Sequence, residues 1–411
     1  MTTARAPRRI LVVGGGVAGG SAALAIRDAG FDGEVELVGA EPRHPYERPP
    51  LSKAFLRGEV EGERLRLRPP ATWEERGIES SLGEEVVAVD PAAGEATFAD
   101  GATAAFDRLV LATGARNRRV DVPGLDLEGV FDLRTVDDAL ALRDAATPGS
   151  RAVVVGMGFI GSEVAASLRA LDVEVTAILS GDAPLDRVLG PQVGGVLASV
   201  HEDRGVRLLR RTVFAGFEGS GGSVRAAVTA DGQRVEADFA VVGVGVQPNV
   251  ELAEAAGLHV DNGVVVDELC RTSAPNVFAA GDVAAFPLAG ADGRVRIEHF
   301  QHAVKHGRAA GLSVAGHRRP FVEVPWFWSE QYDQQVQYAG HHRRSDACEV
   351  RGSLADRSFL GFFYERGVVR AVVSLNRQLE LRRAMTAIGR EVDPAILRDE
   401  SVDLRELARA S

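Results

Sequence analysis

The chain has 411 residues with a formal net charge of −11, and its 45% hydrophobic and 26% charged content is that of a globular protein. That length suits about two to four domains, and the acidic balance excludes wholesale binding to nucleic acid or to an anionic membrane as the default. Two cysteines, Cys270 and Cys348, leave no C-x-x-C redox pair and no cysteine-ligated cluster or zinc site.

A single long-range disulfide or two free thiols are the remaining choices; we expect free, buried thiols in a reducing cytoplasm. Met1–Arg9 is short and polar, and the apolar run after it is soon broken by glycine. Neither a signal peptide nor a bilayer-spanning segment is expected.

Residues 9–40 predict a strand, a glycine turn, an Ala-rich helix over Gly20–Asp28 and a second strand over Glu34–Val38, the opening of a doubly wound sheet. The turn carries Gly14-x-Gly16-x-x-Gly19 directly after Ile10–Val13. Residues 41–70 are rich in Pro and Arg and predict an irregular loop that carries function. A strand over Asp107–Ala112 ends at Thr113-Gly114. A second strand–turn–helix unit follows, with Ala152–Val155 running into Gly156-x-Gly158-x-x-Gly161 and pairing with Val173–Leu179. Short strands with turns at Gly219–Gly222 and Asp231-Gly232 lead to a strand ending at Gly243. A strand over Asn276–Ala280 leads into Gly281-Asp282, and an Ala/His helix is expected near residues 301–315. From Phe321 the pattern changes to β-like segments, Ser358–Tyr364 and Val368–Ser374, then a helix near Leu379–Ile388, a separate α+β domain.

One fingerprint alone is weak, but two in strand–turn–helix context point to two dinucleotide sites. Glycine permits the tight turn, the approach of backbone to a pyrophosphate and the packing of helix on strand, and the helix N-terminus faces the negative charge. The second fingerprint lies mid-chain and patterns like the first resume after it, so one nucleotide domain is inserted into another. Arg116–Arg119, His341–Arg344 and Arg382-Arg383 read as solvated faces or as docking patches for an acidic partner.

The chain resembles the FAD-dependent, NAD(P)H-using ferredoxin reductases that serve Rieske oxygenases and bacterial cytochromes P450. They share a fold with rubredoxin reductases, monodehydroascorbate reductases and apoptosis-inducing factor. The resemblance covers essentially the whole chain and rests on Tyr46–Lys53, Leu111–Ala115, Gly156–Glu163, Gly243–Asn249, Phe278–Val283 and Pro325–Ser329. Disulfide reductases of this fold carry a Cys pair where this chain has Pro-Pro-Leu-Ser-Lys.

The resemblance implies an α/β fold: two Rossmann-like dinucleotide-binding domains, the FAD domain interrupted by the NAD domain, plus a C-terminal α+β domain. The implied boundaries are 1–118 and 245–322 for FAD, 119–244 for NAD(P)H and 323–411 for the last domain. It places Gly14, Gly16, Val17 and Ala18 on the FAD pyrophosphate, and Glu41, one position past the aligned Ala40, on the adenosine ribose. Arg48, Val86, Arg134 and the Ala112-Thr113-Gly114 turn are further flavin contacts. Gly281 and Asp282 are expected at the ribityl chain, and Glu298, His299 and Phe300 at the pyrimidine end. Lys53 is placed beside the flavin N5 with Glu163 as its ionic partner, a cation that stabilises arriving electron density. Trp328 is placed on the acceptor side of the flavin, although Trp326 and Trp328 also read as core aromatics. For the nicotinamide nucleotide the implied residues are Gly156, Gly158, Phe159, Ile160, Gly161, Gly243 and Gly245.

The family's ribose-binding acid falls at Leu179 here, with Ser180 and Asp182 nearby as partial replacements, and no Arg or Lys stands between 179 and 186 to clamp a 2′-phosphate. NADH is therefore expected, with NADPH left open. The implied partner is a [2Fe-2S] ferredoxin and, beyond it, a P450 or Rieske oxygenase, with no nucleic acid and no membrane. Reduction of a small acceptor (quinone, monodehydroascorbate, oxygen) and redox-gated protein interaction are the alternatives.

Overall fold

A computed structural model describes residues 7–343 and 346–408, and the chain forms two compact units. One holds the chain up to Glu47 together with Glu63–Arg116 and Gln247–Pro325; the other holds Arg48–Gly62, Asn117–Val246 and the chain from Trp326 on. Among the described residues no helix is long and apolar enough to cross a membrane.

The first unit is built on a parallel sheet in the order Val277–Ala279, Arg108–Leu111, Arg9–Val13, Glu34–Gly39, Ile78–Leu82. Its central strand is a run of branched residues because both of its faces are covered. Leu11 and Val13 enter one core with Leu109, Leu111 and Val277, whereas Ile10 and Val12 enter the other with Val35, Leu37 and Val110. The helix Val17–Asp28 is made of small residues for a reason found on its neighbour, Phe300–Val314. A Cβ on Gly307 would stand 2.1 Å from the Ala18 carbonyl oxygen, and one on Gly311 2.3 Å from that of Ala22, so the two helices touch backbone to backbone. That helix begins three residues earlier than its composition suggested, since the glycine turn itself provides its first residues.

The second unit repeats the arrangement with the strands Arg207–Leu209, Glu174–Ile178, Arg151–Val155, Phe239–Val242 and Val130–Phe131, again parallel. Beside it lies an antiparallel five-stranded sheet in the order Trp326–Gln331, Gln334–Gly340, Val368–Leu375, Ser358–Glu365, Ala347–Ser353. Leu189, Val193 and Leu197 of the helix Asp186–Asp203 pack against Phe327, Val336, Phe359 and Phe363 of that sheet in one core. The helix expected near Leu379–Ile388 runs over Gln378–Ala384 and tightens into a 3₁₀ turn at Met385–Ala387, ending short of Ile388, and a further short helix follows at Pro394–Arg398. Both thiols are free, but only Cys270 is fully buried; Cys348 is half-buried, and its thiol is pushed up to about 12 by desolvation.

Candidate nucleotide and redox sites

In each fingerprint the three glycines answer to three different demands. The first of each adopts a left-handed backbone, φ +125° at Gly14 and +91° at Gly156, and a side chain there would strike the next strand's end, 2.1 Å from Ala112 O and 2.4 Å from Gly243 O. The third is closed by the first: a Cβ on Gly19 or Gly161 would lie 1.9 Å from the carbonyl oxygen of Gly14 or Gly156. The middle glycines, Gly16 and Gly158, have no protein atom within 4 Å of a Cβ position. Nothing in the protein requires glycine there, which is what a space kept for a bound pyrophosphate demands. Both act as N-caps without a side-chain capping bond, and neither helix has an acid in its first turn, so their amides remain available to an anion.

Around the first cradle the structure gathers several expected residues. Val17, Ala18, Ala112 and Ala303 form a small apolar cluster. Gly281, at φ +78°, comes so close to Ala18 that a Cβ would sit 2.7 Å from the Ala18 methyl, and it places Asp282 in a half-buried turn after the strand Val277–Ala279. Thr113 and Gly114 are locked by Asn249: Thr113 Oγ1 donates to the Asn249 carbonyl at 2.7 Å, Asn249 Nδ2 to that of Thr113 at 2.8 Å, and the Asn249 amide to that of Gly114 at 3.0 Å. Glu41 follows the second strand and accepts from Tyr46 Oη at 2.6 Å. The Val86 side chain belongs to the core, so only its backbone is left to meet a ligand. Glu298 is exposed and paired with Arg296, while His299 and Phe300 open the Phe300–Val314 helix; desolvation holds the His299 imidazole down at about 4. These features fit FAD.

In the second unit Phe159 meets Phe327 edge-on at 4.7 Å, and Ile160, a large apolar residue 42% exposed in the first turn after the cradle, suits a nucleotide face. Gly245 stands at φ +104° with open space around it. Leu179 is buried. Although residues 179–186 hold no Arg or Lys, folding brings two there: Arg187 donates to Ser180 Oγ at 3.3 Å, Arg211 pairs with Asp182, and the Arg211 amide bonds the Gly181 carbonyl at 2.9 Å. No local pattern announces Arg211, which lies 29 positions beyond Asp182.

The same unit holds the Lys53–Glu163 pair. Pro49–Ser52 is a short 3₁₀ turn that delivers Lys53 against the helix Phe159–Ala170, and Ser167 Oγ donates to the Ser52 carbonyl at 2.7 Å to fix it. Lys53 Nζ and Ser52 Oγ donate to Glu163 Oε2 at 2.6 and 2.5 Å, and Ser329 Oγ donates to Oε1 at 2.7 Å. All four residues are buried. A buried ion pair persists only when its remaining valences are met, and the two serines meet those of the carboxylate. Ser52 and Ser329 were not foreseen as its partners. Arg48 reaches the Arg134 carbonyl, and Arg134 enters a turn closed by Asp138.

Along Trp326–Gln331 the side chains alternate, so that Phe327, Ser329 and Gln331 are buried while Trp326 and Trp328 stack on the opposite face with centroids 5.6 Å apart. Phe327 is fully buried in one core, and Trp326, half-buried, packs against a second core on the other face with Leu360 and Phe362; Trp328 is half-buried. Of the basic clusters, Arg116 is spent on Glu251 and Asn249, and His342 stacks on Phe363 at 3.7 Å; Arg344 lies outside the described residues, and Arg382 and Arg383 are exposed.

Residues 8–307 match the pyridine nucleotide-disulphide oxidoreductase family and 326–408 the reductase C-terminal family. Rhodocoxin reductase of Rhodococcus erythropolis is 39% identical over 96% of this chain and 93% of its own. The ferredoxin–NAD(+) reductase component of the biphenyl dioxygenase system of Paraburkholderia xenovorans is 38% identical over 98% of both chains. The structure is similar, with a TM-score of 0.95 and 37% identity over 99% of this chain and 100% of the other, to the reductase in a covalent putidaredoxin reductase–putidaredoxin complex.

Proposed function

The chain belongs to the pyridine nucleotide-disulphide oxidoreductase family, and from that premise we propose that it is a flavoprotein reductase carrying electrons from NADH through FAD to a [2Fe-2S] ferredoxin that serves a cytochrome P450 or a Rieske oxygenase. When bound, FAD accepts two electrons as a hydride and passes them on singly. The observation that carries the reading is the buried Lys53–Glu163 pair, whose lysine closes the Pro-Pro-Leu-Ser-Lys segment found where disulfide reductases of this fold carry a cysteine pair.

We assign 1–118 and 245–322 to FAD, 119–244 to the nicotinamide nucleotide and 323–411 to the C-terminal domain. Gly14, Gly16 and Ala18 are assigned to the FAD pyrophosphate, Glu41 to its ribose and Asp282 to its ribityl chain. Gly156, Gly158 and Gly161 are assigned to NADH, and Trp328 to the exit toward the ferredoxin. Lys53 is assigned as the cation that favours the reduced flavin, a preorganised charge held by Glu163. The two free thiols support a cytoplasmic location.

The test is NADH-driven reduction of cytochrome c by the FAD-loaded protein with and without an added [2Fe-2S] ferredoxin. We expect the ferredoxin to raise the rate at least tenfold; no stimulation would overturn the assignment of acceptor.

A further inference from the structure

The Lys53–Glu163 pair is one end of a longer hydrogen-bonded chain inside the second unit. Beyond Ser329, Gln331 Nε2 lies 3.3 Å from Ser329 Oγ, Gln331 Oε1 lies 3.0 Å from His201 Nε2, and His201 Nδ1 lies 3.0 Å from Tyr332 Oη. Ser329, Gln331 and His201 are each 0% exposed. Two are brought to one face by the two-residue period of the strand Trp326–Gln331, the third by the helix Asp186–Asp203.

The protons in this chain have one arrangement that satisfies every atom. The Glu163 carboxylate faces an ammonium and two hydroxyls, so it accepts from all three. Ser329 thereby spends its only proton on Oε1 and must accept from the Gln331 amide nitrogen. That turns the Gln331 oxygen toward His201, which must carry its proton on Nε2 and accept from the Tyr332 hydroxyl on Nδ1. Every donor points toward Glu163.

We infer that His201 is a positioning residue for the Lys53–Glu163 pair: acting through Gln331 and Ser329, it holds Glu163 Oε1 and so reserves Oε2 for Lys53. The inference rests on the role proposed for Lys53. The chain is an orienting device and not a proton wire, because an amide stands in its middle and amides do not relay protons as hydroxyls or imidazoles do. Burial pushes the His201 imidazole down to about 4, which keeps it neutral near pH 7.

An independent sign comes from the outer end. Tyr332 sits in the turn between two strands at φ +59°, a conformation costly for a bulky residue and normally left to glycine. Its ring packs edge-on against His201 at 5.4 Å and carries the Arg204 guanidinium 5.1 Å from its centroid, and Arg204 is tied to Asp333 at 2.8 Å. The strained residue is held from both sides at the place where its hydroxyl meets His201.

The test uses the FAD-loaded enzyme. In His201→Leu we expect reduction of the flavin by NADH in stopped flow to slow about tenfold, with the NADH dissociation constant and the FAD content unchanged. In protein labelled with ¹⁵N-histidine, long-range ¹H–¹⁵N correlation should find His201 in the Nε2–H form with no titration between about pH 5 and 8. A His201→Leu enzyme reduced at the wild-type rate, or an Nδ1–H tautomer, would overturn the inference. Should His201→Leu not fold, Tyr332→Phe decides with the same assay, a two- to threefold slowing being expected and an unchanged rate being fatal. If Lys53→Met leaves reduction unchanged, it is the role of Lys53 that fails; if Lys53→Met is slow and His201→Leu is not, only the orienting chain fails.

Discussion

The two glycine cradles of this protein are near copies in backbone and opposites in what surrounds them. Gly14 N bonds Val38 O and Gly156 N bonds Ile178 O, each at 2.8 Å, and in each the third glycine closes on the first at the same 1.9 Å. Two positions beyond that third glycine, however, the first helix has Ser21 and the second has the buried Glu163. After the second strand the first unit has Glu41, whereas the second has Leu179, then Ser180 and Gly181, with the Asp186 carboxylate lying against Gly181. The backbone of the two cradles is thus shared, and it is the few side chains on the margin that distinguish one from the other.

The contrast breaks most completely at the middle glycines. Neither Gly16→Ala nor Gly158→Ala meets a protein atom, so both variants should fold with melting temperatures near that of the parent. Gly16→Ala should emerge without flavin and without activity, measured by the absorbance of the purified protein. Gly158→Ala should keep its FAD and raise the KM for NADH at least tenfold; a yellow Gly16→Ala protein would undo the assignment of the first cradle.

Next in size is Lys53→Met. Losing one preorganised charge should slow flavin reduction by about 10²–10³-fold, seen as bleaching in stopped flow. Stranding Glu163 among Ser52 and Ser329 should also cost about 3–5 kcal/mol in denaturant unfolding.

A smaller effect sharpens the difference at the ribose. Leu179→Glu restores an acid after the second strand, and the kcat/KM ratio of NADH over NADPH should rise about tenfold. The smallest effect belongs to Arg211, held at φ +52°. Arg211→Gly should stabilise the fold by about 0.5–1 kcal/mol while lowering efficiency with NADPH more than with NADH.

Much of the fold was legible because its signals are local. The run Arg9–Val13 into Gly14 fixes a strand, a turn and a helix within twenty residues, and Arg151–Gly161 does so again. Lys53 and Glu163 were legible only through the resemblance, since 110 positions separate them. Ser52, Ser329, Gln331 and His201 were not legible at all: each is an ordinary polar residue whose meaning arises when a turn, a strand and a helix converge. The pairing of Arg211 with Asp182 was hidden for the same reason, because neighbours along the rim of a sheet are not neighbours along the chain. The alternation of Trp326, Phe327 and Trp328 was readable in principle from the two-residue period, which turns Phe327 toward one core and both tryptophans to the opposite face, where Trp326 packs against another.

The order of strands in the first unit also sets a timetable for synthesis. Arg108–Leu111 lies between Arg9–Val13 and Val277–Ala279, yet the latter leaves the ribosome 166 residues after Leu111. At about 5–20 residues per second the apolar edge of Arg108–Leu111 waits roughly ten to thirty seconds for its partner. An unpaired edge is open to pairing with another chain. The growing polypeptide is therefore most exposed to aggregation while residues 112–276 are being made, and conditions that slow translation across that stretch should lower the yield of native enzyme more than slowing elsewhere.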